Sequence, residues 1–283
     1  MQNTELILSS DNRIYHLDLK KGELSENIIL VGDPNRVAMI SKKFDIIEVK
    51  RSNREFITHT GYYNEKRISI ISTGIGVDNI DIVINEIDAL FNVDFQNKRI
   101  EKNKKKLNII RLGTTGSLQK NLKVNSFIIS KYALGFDGLA HFYKSKKSVD
   151  TEIFKKFKDH IKLPNKFSEP YFVKASDRLI HKFKEIKSGI TLTAIGFYGP
   201  QQRHIRLKPS LSMLEDKIYN FKFKNNTVTN YEMETSALYY LCKELNHNVI
   251  TICVVLANRI SRTHSNDSKK AIEKLIDLVL NKI

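Results

Sequence analysis

The chain has 283 residues, 41% hydrophobic and 28% charged, a balance that suits a globular domain with a substantial core. Basic residues outnumber acidic ones by 16, and Cys242 and Cys253 are the only thiols; without CxxC spacing they exclude a disulfide framework and a cysteine zinc site. No apolar run approaches the roughly 20 residues that span a bilayer, and Met1 to Ser10 has no basic region ahead of Leu6-Ile7-Leu8, so no membrane partner and no secretory signal are expected and a cytoplasmic location is.

Residues 1–26 read as a polar lead-in. Ile28-Ile29-Leu30-Val31 forms a buried strand that runs into Gly32-Asp33-Pro34-Asn35-Arg36, and a helix with Val37, Met39, Ile40 and Phe44 on its apolar stripe follows. A hairpin is expected around Asn64-Glu65. The strand Ile68 to Ser72 ends in Thr73-Gly74-Ile75-Gly76, ahead of a helix carrying Ile80, Val83, Ile84, Ile87 and Phe91. Phe95 to Asn108, with Lys98, Arg99, Lys102, Lys104, Lys105 and Lys106, is an exposed excursion, long for a connection. Leu107 to Leu112 is a strand that ends in the small-residue turn Gly113-Thr114-Thr115-Gly116. Val124 to Ser130 is a further strand, and Lys144 to Lys166 a surface loop plus helix. Ala175 to Lys187 is a helix that Gly189 stops. Ile190 to Ile195 is a strand that delivers the loop Phe197 to Arg203. Met233 to Leu245 is helical, Val249 to Leu256 a buried strand, and Asp267 to Lys282 an amphipathic closing helix. Strands alternating with helices define an α/β architecture. Both cysteines fall in apolar patterns and read as core thiols. No repeat or Pro/Gly/Ser-rich linker interrupts the chain, so one domain over 1–283 is expected.

Chemistry gathers at the strand ends. Arg111 offers a planar fork suited to phosphate. Gly113 and Gly116 allow close backbone approach, and Thr114 and Thr115 add hydroxyls. An ordinary strand-to-loop turn is the competing reading of that octet. Gly32 to Arg36, a glycine turn with an arginine entering a helix, is a second anion-binding geometry. Thr73-Gly74-Ile75-Gly76 is neither a dinucleotide fingerprint, because Asn79 stands where the third glycine belongs, nor a P-loop. Two arginines are costly to bring together without an anion between them, and a phosphate would relieve that cost. The excess of 16 positive charges is spread along the chain, and no helix-turn-helix, zinc finger or RNP-type strand accompanies it. It reads as a solvated basic surface; a non-catalytic nucleic-acid-binding protein is the reading from another class.

Six segments occur in order: Gly32-Asp33-Pro34-Asn35-Arg36, Ser72-Thr73-Gly74-Ile75-Gly76, Arg111-Leu112-Gly113-Thr114-Thr115-Gly116, Phe197-Tyr198-Gly199-Pro200-Gln201-Gln202-Arg203, Asn230-Tyr231-Glu232-Met233-Glu234 and Ala257-Asn258-Arg259. Together they resemble the nucleoside phosphorylase family, and within it the uridine phosphorylases, from His16 to the last helix. The resemblance implies a single-domain three-layer α/β/α sandwich with a mixed central sheet. It implies phosphorolysis of a nucleoside, uridine first, to ribose 1-phosphate and free base. It implies Gly32, Arg36, Arg111 and Thr114 around phosphate, with Arg54 reaching the phosphate of a neighbouring subunit. Met233 and Glu234 would hold ribose, and His16 would be lent across a dimer interface to the 5′-hydroxyl. Phe197, Tyr198, Gln201 and Arg203 would hold the base, with Arg259 in support. Arg111, Glu234 and Arg203 are then the catalytic set. No cofactor is implied, since inorganic phosphate is a co-substrate, and the partner is a second copy of the chain, in a dimer or a hexamer built as a trimer of dimers. Nucleic acid is not a partner on this reading.

Taken alone, several of these residues have plainer readings. Glu232 and Glu234 at a helix start complement the helix dipole, Arg54 forms a surface ion pair with Glu55 or another acid, and His16 is a surface histidine. Gln201, by contrast, offers an acceptor beside a donor, which suits an imide such as uracil. Arg203 offers donors to a carbonyl that gains charge as the base leaves.

The chain departs from the enterobacterial uridine phosphorylase pattern. Phe-Tyr-Pro-Gly there is Phe197-Tyr198-Gly199-Pro200 here, and Gly-Gly-Pro-Ser is Gly76-Val77-Asp78-Asn79. The second change alters a region where the family binds a monovalent cation between subunits. Glu55 is kept, Asn79 replaces a serine ligand, and no metal is assigned. The Phe95–Asn108 excursion is additional. A purine nucleoside phosphorylase, or a nucleosidase that uses water, is the competing reading within the superfamily. Hexameric purine-directed members carry an aspartate near Ala257-Asn258, which is missing here, and a water-using enzyme has no need of Arg36, Arg54 and Arg111 together.

Overall fold

The computed structural model describes residues 2, 4–164, 167–211 and 214–283; Met1, Asn3 and the last two residues of the Lys144–Lys166 segment lie outside the described residues. The strands are β1 (Asn27–Val31), β2 (Ile46–Asn53), β3 (Phe56–Tyr63), β4 (Lys66–Ser72), β5 (Val93–Asp94), β6 (Arg99–Ile100), β7 (Asn108–Ser117), β8 (Phe127–Gly135), β9 (Tyr171–Lys174), β10 (Ser188–Thr193), β11 (Lys222–Phe223), β12 (Asn226–Glu232), β13 (Asn248–Asn258) and β14 (Thr263–His264). The helices are α1 (Asn35–Ser41), α2 (Val77–Asn92), α3 (Thr151–Ile161), α4 (Asp177–Lys182), α5 (Glu215–Asn220), α6 (Thr235–Glu244) and α7 (Ser268–Leu280).

One mixed sheet carries the molecule, in the order β11-β12-β10-β8-β13-β7-β1-β4-β3-β2, with β9 on β8 and β14 on β13. β1 runs parallel to β4 and β7, and β7 parallel to β13. β10 runs parallel to both β8 and β12. The two groups meet antiparallel at β8–β13 and again at β12–β7. That second junction closes β7, β13, β8, β10 and β12 on themselves, so the middle of the sheet is rolled rather than open. Ile28 to Val31, Ile109, Ile110, Val249, Ile250 and Ile252 are buried without interruption, as strands covered on both faces require. α2 and α6 pack on each other, and the helices complete the expected three-layer α/β/α arrangement. A second cluster gathers Phe157, Phe172, Phe221 and Phe223 around α3, with Phe157 and Phe221 edge to face at 5.0 Å. Among the described residues no helix is long and apolar enough to cross a membrane.

Several sequence expectations change. Gly113 to Gly116 is not a turn: β7 runs through it to Ser117, held on β13 along its length. Its threonines are good strand residues, and its glycines mark close approach within a strand. α1 stops at Ser41, so Phe44 packs on the core from the turn that follows. α4 ends at Lys182, and Gly189 lies inside β10, where a Cβ would sit 2.8 Å from Thr229 Oγ1. β8 begins at Phe127 and extends to Gly135. α6 begins at Thr235, because Glu234 has non-helical φ −137°. The lead-in is not simply polar, since Ile14, Leu17, Leu19 and Leu24 are buried; their irregular spacing offers no period to detect. The basic excursion is exposed over much of its length, and its short strand β6 pairs back with β5 at the end of α2.

Candidate active site

The strand register brings distant segments together. Leu30 of β1 lies opposite Arg111 of β7, and Val31 opposite Leu112. There β1 ends and the Gly32 turn begins, while β7 continues. The edge of β7 that β1 covered has no strand partner from Gly113 to Thr115, among the described residues, until Gly116 meets Tyr231 of β12. Because β12 is antiparallel, the residues after Tyr231 run back toward Arg111. A cavity of about 740 Å³ opens at this gap. Gly32, Arg36, Arg111 and Thr114 line it, as do Met233 and Glu234, and so do Phe197, Gln201 and Arg203. All the sequence-predicted phosphate residues except Arg54 are therefore in one wall.

Arg111 is 4% exposed and sits between two acids. Its Nη2 donates to Glu234 Oε2, and its Nη1 lies 3.6 Å from Glu232 Oε2. Burial works against its charge, but Glu234 and Glu232 more than offset this and hold the guanidinium above its ordinary value. Its Nε and Nη1 have no hydrogen-bond partner among the described residues. Arg36 donates to the Leu112 carbonyl at 3.4 Å. Burial first, and then the like charge of Arg111, pull Arg36 below its ordinary value. Two guanidiniums thus face a shared space with donors to spare, which is an arrangement for an anion.

Glu234 also accepts from the Gly76 N–H at 3.0 Å and the Met233 N–H at 3.2 Å. It caps nothing with its side chain, so the dipole reading fails for it. That reading holds better for Glu232, whose carboxylate accepts from the Thr235 N–H at 2.9 Å and the Glu234 N–H at 3.0 Å. Thr193 and Thr235 add hydroxyl donors at 2.6 and 2.7 Å. Burial pushes the Glu232 carboxyl up to about 7 against the pull of Arg111.

Gln201 is 2% exposed, and its Oε1 accepts from Arg203 Nη1. The Arg203 guanidinium stacks 3.8 Å from the Phe197 ring centre and also donates to the Phe197 carbonyl at 2.8 Å. Tyr198 is 55% exposed and lies outside the cavity wall. Arg259 lies behind the wall, on the Gln201 and Gln202 carbonyls.

Two predicted residues are elsewhere in this single chain. Arg54 is exposed in the two-residue β2–β3 turn at φ +53° and forms no ion pair with Glu55 among the described residues. His16 Nδ1 lies 2.5 Å from Glu86 Oε1, and Glu86 also accepts from the backbone N–H groups of His16 and Leu17. Sequence reasoning gave no site role to Tyr231 or Ala257, both cavity-lining; only the strand register places them. Glu55 and Asn79 line the cavity too, and Asn79 Nδ2 donates to Glu55 Oε1 at 3.1 Å. Among the described residues no group of three or more His, Cys, Asp or Glu is placed to hold a metal ion.

The sequence matches the family model of the phosphorylase superfamily over residues 26–281, and the chain belongs to that superfamily. It is similar to a uridine phosphorylase of Thermococcus kodakarensis, at 30% identity over 94% of this chain and 83% of that one. A DeoD-type purine nucleoside phosphorylase of Bacillus cereus is 27% identical over 94% of this chain and 97% of its own. The crystal structure of a Trypanosoma brucei nucleoside phosphorylase, titled as showing uridine phosphorylase activity, matches with a TM-score of 0.87 at 28% identity, covering 98% of both chains.

Proposed function

We propose that this chain cleaves the N-glycosidic bond of a nucleoside, uridine foremost, with inorganic phosphate. The observation that carries the reading is the cavity shared by Arg36, Arg111, Glu234, Gln201 and Arg203. Phosphate sits against Arg36, Arg111, Thr114 and the Gly32 turn. Glu234 accepts from ribose hydroxyls, and Met233 packs on the sugar. Gln201 presents its amide to an imide edge, with Arg203 beside it for a carbonyl.

A phosphate oxygen bonds to C1′ as the bond from C1′ to the base nitrogen breaks, and the electron pair leaves with the base. The sugar is then cationic between two anions. Arg203 faces the charge that gathers on the base carbonyl, and a proton from water restores the neutral base. Rate arises from positioning and from charges already aimed where charge develops. Arg111 links the two halves, since it lines the cavity beside Arg36 while its Nη2 is on Glu234.

The pyrimidine assignment draws support from Asn258. Its Nδ2 donates to the Gln119 and Leu122 carbonyls, and its Oδ1 accepts from the Ile260 and Ser261 N–H groups. All of it is committed to loops, and no carboxylate stands there to protonate a purine. His16 and Arg54, away from their own cavity, accord with a homo-oligomer that shares sites between neighbours.

The test is release of base from uridine, thymidine, inosine and adenosine, each with and without phosphate. Phosphate-dependent release of uracil is expected. Release that needs no phosphate, or a preference for inosine or adenosine, overturns the proposal.

A further inference from the structure

Behind the base end lies a charged brace, Arg259 and Glu215, whose own residues do not line the cavity but hold ones that do. Arg259 follows β13 and donates from Nη1 to the Gln201 carbonyl and from Nη2 to the Gln202 carbonyl at 3.2 Å. The same Nη2 lies 3.2 Å from Glu215 Oε1 at the start of α5. Glu215 also accepts from the Tyr219 hydroxyl one turn further along α5. The guanidinium lies 5.9 and 5.7 Å from the Tyr219 and Tyr231 ring centres.

The turn that Arg259 grips is not one the chain adopts freely. Gln202 has φ +58°, the left-handed region, which costs a residue with a Cβ and persists only where neighbours enforce it. Gln201 enters the cavity from that turn, so its amide is only as well placed as the two carbonyls that Arg259 holds. Arg259 also brings a second positive charge toward Arg203. Burial, and then Arg259, hold the Arg203 guanidinium below its ordinary value. A carboxylate on Arg259 offsets that repulsion while fixing the direction of the fork.

We infer that Glu215 is a positioning residue for base recognition, acting through Arg259 on the Gln201–Gln202 turn without touching substrate. The inference rests on the reading of Gln201 and Arg203 as base-binding. It assigns Glu215 control over affinity for the nucleoside and over choice of base, and none over phosphate.

Steady-state kinetics of Glu215→Gln in the full chain test it, with uridine, inosine and phosphate varied in turn. The KM for uridine rises about tenfold, the scale of one charged hydrogen bond. The KM for phosphate stays at the wild-type value, and the preference for uridine over inosine shrinks. Glu215→Asp keeps the charge on a shorter arm and recovers part of the loss. Tyr219→Phe removes only a hydroxyl from Glu215 and leaves the uridine KM close to wild type. An unchanged uridine KM in folded Glu215→Gln overturns the inference. So do equal rises in the KM for uridine and phosphate, which mark general loosening. If Glu215→Gln does not fold, Glu215→Asp decides: a raised uridine KM supports the brace and a wild-type value sinks it. Wild-type protein that turns over none of the four nucleosides with phosphate overturns the reading of the site, and the brace with it. Wild-type turnover with unchanged variants overturns the brace alone.

Discussion

Arg111 is the residue on which the site turns, because it is buried, paired on one side and partnerless on the other. Arg111→Lys keeps a charge between Glu232 and Glu234 but loses the fork, and phosphorolysis at saturating phosphate drops by about 10²–10³ in kcat, as for removal of one transition-state donor. Near wild-type turnover in that assay rejects the role. Arg111→Ala additionally leaves two buried carboxylates without their cation, at a cost of about 3–5 kcal/mol in denaturant unfolding. Gly113 matters for the same guanidinium. A Cβ there would collide with Arg111 Nη1 and sit 2.7 Å from Cys253 Sγ, so the position excludes any larger side chain. Gly113→Ala is expected to lose activity and about 1–3 kcal/mol of stability, read by kinetics and urea titration side by side. Cys253 itself is inert in the fold. Burial pushes its thiol up to about 12, and Cys242 is raised likewise, so a thiol reagent at pH 8 should label neither until denaturant is added.

At the scale of elements, the decisive feature is that β7 outruns β1. A strand covered on one edge for its first half and free for the next few residues exposes backbone and side chains to a ligand without leaving the sheet. Helix ends show how far local chemistry reaches. α7 is capped by Asp267, whose carboxylate accepts from the Lys270 N–H at 3.2 Å, at the start of the helix expected over Asp267 to Lys282. Asp267→Ala should cost about 1 kcal/mol in a thermal melt while leaving kinetics alone. At α6 the acids before the helix look the same in sequence but divide their work. Glu232 holds N-terminal N–H groups, while Glu234 turns away to Arg111 and the Gly76 N–H. Gly189 shows the converse. Its place after a helical pattern suggests a stop, yet it serves strand packing against Thr229.

For the whole molecule, the untested part is what a second copy contributes. If Arg54 serves a neighbour's phosphate, co-expressed Arg54→Ala and Arg111→Ala chains form mixed assemblies in which some sites keep both arginines. Activity above either parent is the expected result, and its absence means that each chain is self-sufficient. The excess of 16 positive charges is expected to act only as a diffuse surface field. Binding to random DNA or RNA should then vanish by roughly 200 mM salt, as counterion release demands.

By itself the sequence determined the α/β class, most helices and strands, and the membership of Gly32, Arg36, Arg111, Gln201, Arg203 and Glu234 in one site. Those are matters of period, turn chemistry and motif order, which are local or linear properties. It could not show that Gly113 to Gly116 stays in a strand, that Glu215 stands on Arg259, or that Glu234 faces Arg111. Those depend on the pairing of β7 with β13 and β12, whose contacting residues lie more than a hundred positions apart. A carboxylate is a cap or a ligand according to what the register sets opposite it, and register is a property of the rolled sheet, not of any one segment.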